Sequence, residues 1–208
     1  MILERVLAAL ALLACSPVLL AAALAIVLES GFPIFFRQER AGQHGKIFRL
    51  IKLRSMRAGR SGARITASGD ARVTRVGVFL RKYKIDELPQ LWNILAGDMR
   101  FIGPRPELPP FVDGRDPLWR AVLAGKPGIT DLATLIYRNE EEILAHCADP
   151  ESAYRRDILP RKLALSVQYR RTRGLATDLR LLALTVRYSF FPRGFEAGEV
   201  QKAFGETK

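Results

Sequence analysis

The sequence places two carboxylates, Asp86 and Glu87, next to each other in a setting rich in cations. The flanking cations are Arg81, Lys82, Lys84, Arg100 and Arg105. A carboxylate among cations can hold a divalent metal ion or attack a phosphorus atom to form an acyl phosphate. Aspartate and glutamate are also favoured at helix starts, where they cap free N–H groups and complement the helix dipole. The pair alone is consistent with either interpretation.

The charge of the whole chain agrees with phosphate chemistry. Its 208 residues carry a formal net charge of +12, which implies an anionic partner such as a nucleic acid, a phosphorylated substrate or a membrane surface. Phosphoryl transfer needs charge neutralisation, a positioned nucleophile and usually a divalent cation. Mg²⁺ suits a site with few carboxylates, because it takes its remaining ligands from phosphate and water.

The histidines and cysteines show no spacing that would predict a metal site or a disulfide. His44 and His146 are far apart in the sequence and have no partner at a metal-ligand spacing. Cys15 lies in an apolar stretch and Cys147 lies far from it, so the cysteines form no metal or disulfide pattern either.

The apolar stretch at residues 6–28 has no charge and is long enough to cross a membrane as a helix. It could be a cleaved signal peptide, a spanning helix or a re-entrant helix. Pro17 removes a backbone donor and favours a kink, and the hydroxyl of Ser16 can satisfy a freed carbonyl. Because the rest of the chain is basic, we expect it on the cytoplasmic side. The residues alone leave the spanning and re-entrant interpretations open.

The remainder of the chain predicts an α+β fold that is mostly helical, without a linker that would divide it. The predicted elements are a β-hairpin over residues 32–53, a loop over 58–72, helices over 73–83, 88–96, 116–124, 139–147, 151–173 and 177–191, irregular chain over 101–110 and a turn at 126–130. The last two helices combine apolar faces with basic margins, so they could lie in a membrane interface or pack in the core.

Several motifs then resemble one family over nearly the whole chain. They are residues 36–42 (FRQERAG), 52–56 (KLRSM), 86–93 (DELPQLWN), 97–99 (GDM), 103–106 (GPRP) and 126–130 (KPGIT). In this order they resemble the bacterial sugar transferases known as monotopic phosphoglycosyl transferases, in their minimal catalytic-core type. One segment departs from the family pattern: residues 131–139 read DLATLIYRN, where many relatives have a glycine, an aromatic residue and AQVNGR. Sugar preference therefore does not carry over.

The resemblance implies transfer of a sugar 1-phosphate from a UDP-sugar to a polyprenol (undecaprenyl) phosphate, with release of UMP. Asp86 would be the nucleophile that forms a phosphosugar intermediate, and Glu87 would complete the dyad. Both carboxylates would lie at the required Mg²⁺. The expected phosphate-binding residues are Lys52, Arg81, Arg105 and Arg138.

The family also implies a membrane arrangement. Residues 1–30 would form a re-entrant helix hairpin kinked at Ser16 and Pro17. Residues 31–208 would form the catalytic domain, associated with phospholipid on the cytoplasmic face of the bacterial inner membrane. The product would enter a glycoconjugate pathway with downstream glycosyltransferases as possible partners. No nucleic-acid motif is present, and the alternative is a membrane-tethered basic binding protein without catalysis.

Overall fold

The computed structural model of the chain describes residues 2–57 and 65–204. Its helices are α1 (Ile2–Ser30), α2 (Arg75–Lys82), α3 (Gln90–Ala96), α4 (Pro117–Leu123), α5 (Leu132–Ile136), α6 (Glu140–Ala145), α7 (Pro150–Ala153), α8 (Leu159–Thr172), α9 (Leu175–Phe190) and α10 (Ala197–Phe204). Its strands are β1 (Phe35–Ala41), β2 (Ile47–Leu53), β3 (Arg100–Ile102) and β4 (Gly128–Thr130). The predicted α+β, mostly helical fold class is confirmed.

Helix α1 is long and apolar enough to cross a membrane, judged by length and composition. Its assigned helix continues through Pro17. The Ser16 hydroxyl donates a hydrogen bond of 2.7 Å to the carbonyl oxygen of Leu13, one of the local bonds that a helix can form next to a proline. The kink at this point stays a prediction.

Both ends of α1 contact the folded part of the chain that follows this helix, here called the body. Near its start, the carboxylate of Glu4 accepts a hydrogen bond of 3.0 Å from Nε of Arg100 at the beginning of β3. At its end, the carboxylate of Glu29 accepts the backbone N–H groups of Arg75 and Val76, at 2.8 and 2.9 Å, and so caps α2. A straight helix of this length would measure about 43 Å, at 1.5 Å per residue.

Between these ends, α1 packs on the body at two places. Ala8 is fully buried in a cluster with Leu50 of β2 and Ile94 of α3. Ile26 is buried in a second cluster with Leu53 of β2 and Leu80 of α2. One face of α1 thus contacts the body in both halves of the helix, while its other face exposes large apolar side chains, which are Leu10, Leu13, Leu20, Leu24 and Leu28.

Strands β1 and β2 form the predicted hairpin. They pair antiparallel from Phe35 opposite Leu53 to Ala41 opposite Ile47. The buried side chain of Asn93 in α3 fixes the hairpin from behind. Its amide oxygen accepts the N–H of Ile51 at 3.1 Å, and its amide nitrogen donates to the carbonyl of Arg49 at 2.8 Å. The last residue of the DELPQLWN motif therefore positions the strand that carries Lys52.

Strand β3, which directly precedes the GPRP motif, pairs in parallel with β4, which lies within the KPGIT motif. Gly103 and Gly128 approach so closely that a Cβ added at Gly128 would lie 2.1 Å from the backbone nitrogen of Gly103. The N–H of Gly103 donates to Thr130 and the N–H of Gly128 donates to Pro104, both at 3.0 Å. Only glycine permits this approach, which fixes the chain immediately before Arg105.

The secondary structure differs from the sequence prediction in several places. The chain predicted as irregular over 101–110 begins with the end of strand β3, Arg100–Ile102. The turn at 126–130 is wrong for its second half, because Gly128–Thr130 pairs as β4. Helices α5 (Leu132–Ile136) and α10 (Ala197–Phe204) were not predicted. The predicted loop lies partly outside the described residues, and its remainder at 65–72 forms turns and bends.

The last two predicted helices could lie in a membrane interface or pack in the core, and they correspond to α8 and α9. Helix α8 buries Leu163, Leu165 and Tyr169 in the core, so it is a core helix. Helix α9 buries Leu181 and Tyr188 on one face. Its exposed apolar side chains are Leu175, Leu179, Val186 and Phe190. An interfacial position stays a prediction for that exposed face.

Candidate active site

Asp86 and Glu87 lie in a short 3-10 turn, Ile85–Glu87, between α2 and α3. Lys84 begins this turn in a left-handed conformation with φ of 56°, and the chain reverses there. Both carboxylates are buried, with exposed fractions of 6% and 9%. The N-cap position of α3 is Pro89, without a side-chain cap bond. The helix-cap interpretation of Asp86 is therefore wrong.

Glu87 is held by two cations. Its carboxylate forms a two-pronged pair with the guanidinium of Arg105, at 2.6 and 3.0 Å. The ammonium of Lys52 donates to the same carboxylate at 3.2 Å. Burial opposes ionisation, but Arg105 and Lys52 outweigh it and hold the pKa of Glu87 well below its usual range. Glu87 is thus a fixed anion that orients both cations.

Asp86 has the opposite environment. Its Oδ1 atom is buried and accepts no hydrogen bond from any residue that the structure describes. Burial raises the pKa of Asp86, Lys52 partly offsets this effect, and the charge of Glu87 adds to it. An unpaired, desolvated carboxylate oxygen is costly in a folded protein unless a ligand or a reaction uses it. The two adjacent carboxylates therefore differ in environment: Glu87 is paired with cations, and Asp86 keeps an oxygen without a hydrogen-bond partner among the described residues.

The two carboxylates line a cavity of about 600 Å³ between the hairpin, the 3-10 turn and the chain after β3. Lys52, Arg81 and Arg105 line the same cavity. Three of the four predicted phosphate-binding residues are thus brought together around the dyad. Such a volume can hold a substrate of the size of a sugar nucleotide.

Arg138, the fourth, lines a neighbouring cleft of about 540 Å³. Its guanidinium donates to the carbonyl of Lys82 at 3.1 Å. Arg81, Lys84 and Glu141 line both spaces, so the cleft continues from the cavity. Arg81 pairs with the carboxylate of Glu141.

A second group of polar residues, here called the polar wall, lines the same cavity: Arg40, Glu107, Glu140, Tyr154 and Lys162. Their polar groups form a chain of contacts. Glu107 pairs with Arg40 at 3.4 Å and accepts the hydroxyl of Tyr154. Lys162 pairs with Glu140 at 2.6 Å and lies 3.5 Å from that hydroxyl. Burial, reinforced by Glu107, raises the pKa of Tyr154 above its usual range, so the hydroxyl keeps its proton.

Mg²⁺ was expected at Asp86 and Glu87, and the residues fit it through few protein oxygens. Asp86 lines the cavity, and no described residue donates a hydrogen bond to its buried Oδ1. The two oxygens of Glu87 already accept three hydrogen bonds from Lys52 and Arg105. Residues 2–57 and 65–204 contain no cluster of three or more His, Cys, Asp or Glu side chains arranged for a metal. This donor set suits Mg²⁺, which keeps phosphate and water as ligands.

Sequence reasoning did not select the polar wall. Glu107 follows the GPRP motif directly, so its position beside Arg105 was a usable signal. Glu140 lies in a run of three glutamates, which is typical of a first helical turn. Tyr154 opens a π-helical turn, Tyr154–Ile158, between α7 and α8. Such turns are frequent at functional sites, but no local pattern in the sequence announces this one.

Comparison with known proteins places these motifs in one family. The bacterial sugar transferase family matches residues 1–192. The chain is 38% identical over 190 residues to the UDP-glucose:undecaprenyl-phosphate glucose-1-phosphate transferase of Caulobacter vibrioides, covering 89% of this chain and 67% of that protein. It is 36% identical over 204 residues to the uncharacterized sugar transferase EpsL of Bacillus subtilis, covering 94% and 91%.

A third relative is the UDP-N-acetylgalactosamine-undecaprenyl-phosphate N-acetylgalactosaminephosphotransferase of Aeromonas hydrophila, with 46% identity over 127 residues. The matched part covers 59% of this chain and 30% of that protein. The chain thus spans only about a third of some longer relatives and nearly all of a short one. The match over residues 1–192 includes α1, the dyad and the polar wall. The chain belongs to the bacterial sugar transferase family.

Proposed function

We propose that the chain is a phosphoglycosyl transferase, which moves a sugar 1-phosphate from a UDP-sugar to a polyprenol phosphate and releases UMP. The single observation that carries the proposal is that Asp86, whose buried Oδ1 has no hydrogen-bond partner among the described residues, lines one cavity with Lys52, Arg81 and Arg105. The names of the relatives in Caulobacter vibrioides and Aeromonas hydrophila describe this reaction type with two different sugars.

In the first step, a carboxylate oxygen of Asp86 attacks the β-phosphorus of the UDP-sugar. A bond forms between that oxygen and phosphorus, and the bond from phosphorus to the bridging oxygen of UMP breaks. Arg105, oriented by Glu87, and Lys52 neutralise charge on the phosphoryl oxygens. UMP leaves with the electron pair, and an acyl phosphate that carries the sugar remains on Asp86.

In the second step, an oxygen of the polyprenol phosphate attacks the same phosphorus. The new bond forms a diphosphate, and the bond from phosphorus to the Asp86 oxygen breaks, so the carboxylate is restored. Arg81 lies where the cavity meets the neighbouring cleft, and it would exchange Glu141 for a phosphate in one of the two steps. The product is a lipid-linked sugar diphosphate.

Asp86 Oδ1 would hold Mg²⁺ together with phosphate oxygens and water. When bound, the ion supplies neutralisation of the diphosphate charge. Removal of divalent cations with EDTA should abolish turnover, and titration with Mg²⁺ should restore it. Full turnover in EDTA would contradict this assignment.

The packing of α1 supports a membrane arrangement in which the helix enters one leaflet and does not cross. Both ends of α1 contact the body, through Glu4 and through Glu29. A helix that crosses a hydrocarbon core of about 30 Å would separate these contacts on two sides of the membrane. We place the body on the cytoplasmic face of the inner membrane, where a soluble UDP-sugar and a lipid phosphate can both reach Asp86.

This topology can be measured in cells. A variant with its own cysteines replaced and Ile2→Cys introduced should stay protected from a membrane-impermeant thiol reagent in intact cells with a permeabilised outer membrane. It should react after the inner membrane is opened. Labelling in intact cells would show that α1 spans the membrane.

The lipid-linked product of the proposed reaction would serve as substrate for downstream glycosyltransferases of a glycoconjugate pathway.

The reaction is tested by measuring UMP release from a panel of UDP-sugars in the presence of polyprenol phosphate. The proposal expects one or more donors to give UMP and lipid-linked sugar in equal amounts. A basic membrane-tethered binding protein would release no UMP from any donor and would show only salt-dependent binding to anions. That result would overturn the proposal.

A further inference from the structure

The polar wall has hydrogen-bonding groups that its own internal contacts do not use. The Arg40 side chain is about one-sixth exposed. Its Nε has no hydrogen-bond partner among the residues that the structure describes. The Lys162 and Glu140 side chains are about one-tenth and one-fifth exposed, and both line the cavity. Buried polar groups with a free donor beside a cavity are typical of a surface that recognises a polar ligand.

The charge of the wall differs from that of the neighbouring cleft. The wall carries two cations, Arg40 and Lys162, and two carboxylates, Glu107 and Glu140, so it is balanced. The cleft is lined by five cations and three carboxylates, a net excess of two positive charges. A charged ligand group is favoured in the cleft. A neutral group rich in hydroxyls is favoured at the wall, where both donors and acceptors are available.

The wall also adjoins the reacting centre. Glu107 is two residues beyond Arg105, which pairs with Glu87, and Glu140 acts electrostatically on Arg105. A group attached to the phosphorus at Asp86 would therefore be within the same cavity as the wall. Glu140 immediately follows residues 131–139, the segment in which this sequence departs from the family pattern.

We infer that the Glu140–Lys162 pair, with the Tyr154 hydroxyl, binds the sugar ring of the donor and determines which sugar is accepted. The inference rests on the proposed function. The sugar's hydroxyls would donate to the Glu140 carboxylate and accept from Lys162, while the nucleotide half occupies the more cationic side. A site that hydrogen-bonds a substrate hydroxyl discriminates strongly against a donor that lacks it or presents it elsewhere.

The test compares donors that differ in one feature: UDP-glucose, UDP-galactose, UDP-N-acetylglucosamine and UDP-N-acetylgalactosamine. Initial rates of UMP release give kcat/KM for each donor in the wild type, in Glu140→Gln and in Tyr154→Phe. The matched control is Asp157→Asn, which removes a carboxylate from an ion pair at the protein surface. Tyr154→Phe keeps the buried ring and serves as the second variant if Glu140→Gln folds poorly.

We expect the ratio of kcat/KM between the best donor and its epimer to change about tenfold or more in Glu140→Gln, with a smaller change in Tyr154→Phe. The ratio should not change in Asp157→Asn, and inhibition by UMP should be equal in all four proteins. An equal fall for every donor would overturn the inference, because it indicates a structural role. Weaker inhibition by UMP would also overturn it by assigning the wall to the nucleotide. No UMP release by the wild type would instead refute the proposed function.

Discussion

The two sides of the cavity use the same residue types in different ways. Around the dyad, Glu87 is paired with two cations, and Asp86 has a buried oxygen to which no described residue donates a hydrogen bond. At the polar wall, each carboxylate is paired with a cation, as in Glu107 with Arg40 and Glu140 with Lys162. The difference indicates that the dyad side is arranged for a reaction and the wall for recognition. Substitutions on the two sides should therefore affect different kinetic constants.

The largest effect is expected for Asp86→Asn. The amide keeps the shape of the side chain but is a poor nucleophile, so UMP release should fall by about 10⁴-fold or more. The matched control is Asp113→Asn, at an exposed aspartate whose carboxylate accepts the backbone N–H of Arg115. Retained turnover in Asp86→Asn would show that Asp86 is not the nucleophile and would contradict the assignment of the reaction to the dyad side.

Arg105→Lys should have the next largest effect. Lysine cannot reproduce the two-pronged pair with Glu87, so both the orientation of the dyad and the charge on the phosphate change. We expect kcat to fall by about 10²- to 10³-fold, and KM for the donor to change less. The conservative control Arg115→Lys, at an exposed site, should keep full activity. A change in KM alone would show that Arg105 acts in substrate recognition and not in the reaction.

Glu107→Gln tests the wall through stability. The substitution weakens the buried contacts to Arg40 and Tyr154 and should lower the free energy of unfolding by about 2 kcal/mol. Chemical denaturation of detergent-solubilised protein measures this change. Activity should fall by about tenfold or less. A loss as large as that of Arg105→Lys would contradict the assignment of the wall to recognition.

Arg138→Gln should have the smallest effect. Arg138 lines the neighbouring cleft and not the cavity of the dyad. We expect a rise of about three- to tenfold in KM for the UDP-sugar with kcat nearly constant, which is the pattern of a uniform binding interaction. Steady-state kinetics separates the two constants. A fall in kcat with constant KM would instead place Arg138 at the reacting phosphate.

The sequence predicted the dyad side far better than the wall. Asp86, Glu87 and Arg105 lie in long motifs whose order is visible in one chain, and the structure brings them together with Lys52 and Arg81. The wall joins residues from β1, the chain after β3, α6, the π-helical turn and α8. Only folding unites these distant positions. Glu107, directly after the GPRP motif, is the one member that its place in the sequence could have indicated.

The same reason explains which parts of the fold the sequence predicted correctly and which it did not. The hairpin and most helices follow from local periodicity and turn residues. The parallel pairing of β3 with β4 joins the GPRP and KPGIT motifs across more than twenty residues, and it depends on the close approach of Gly103 and Gly128. The assignment of roles within the dyad also required the structure, because Asp86 and Glu87 are alike in sequence and opposite in environment.

The central claim is tested most directly by capture of the covalent intermediate. Detergent-solubilised protein is incubated with the best UDP-sugar without polyprenol phosphate, quenched rapidly and analysed by intact and peptide mass spectrometry. The account predicts that wild type gains the mass of one sugar phosphate less one water on the peptide containing Asp86, and that polyprenol phosphate removes it. Asp86→Asn should gain nothing. An adduct on another residue, or rapid turnover with no adduct at any time point, would contradict the account.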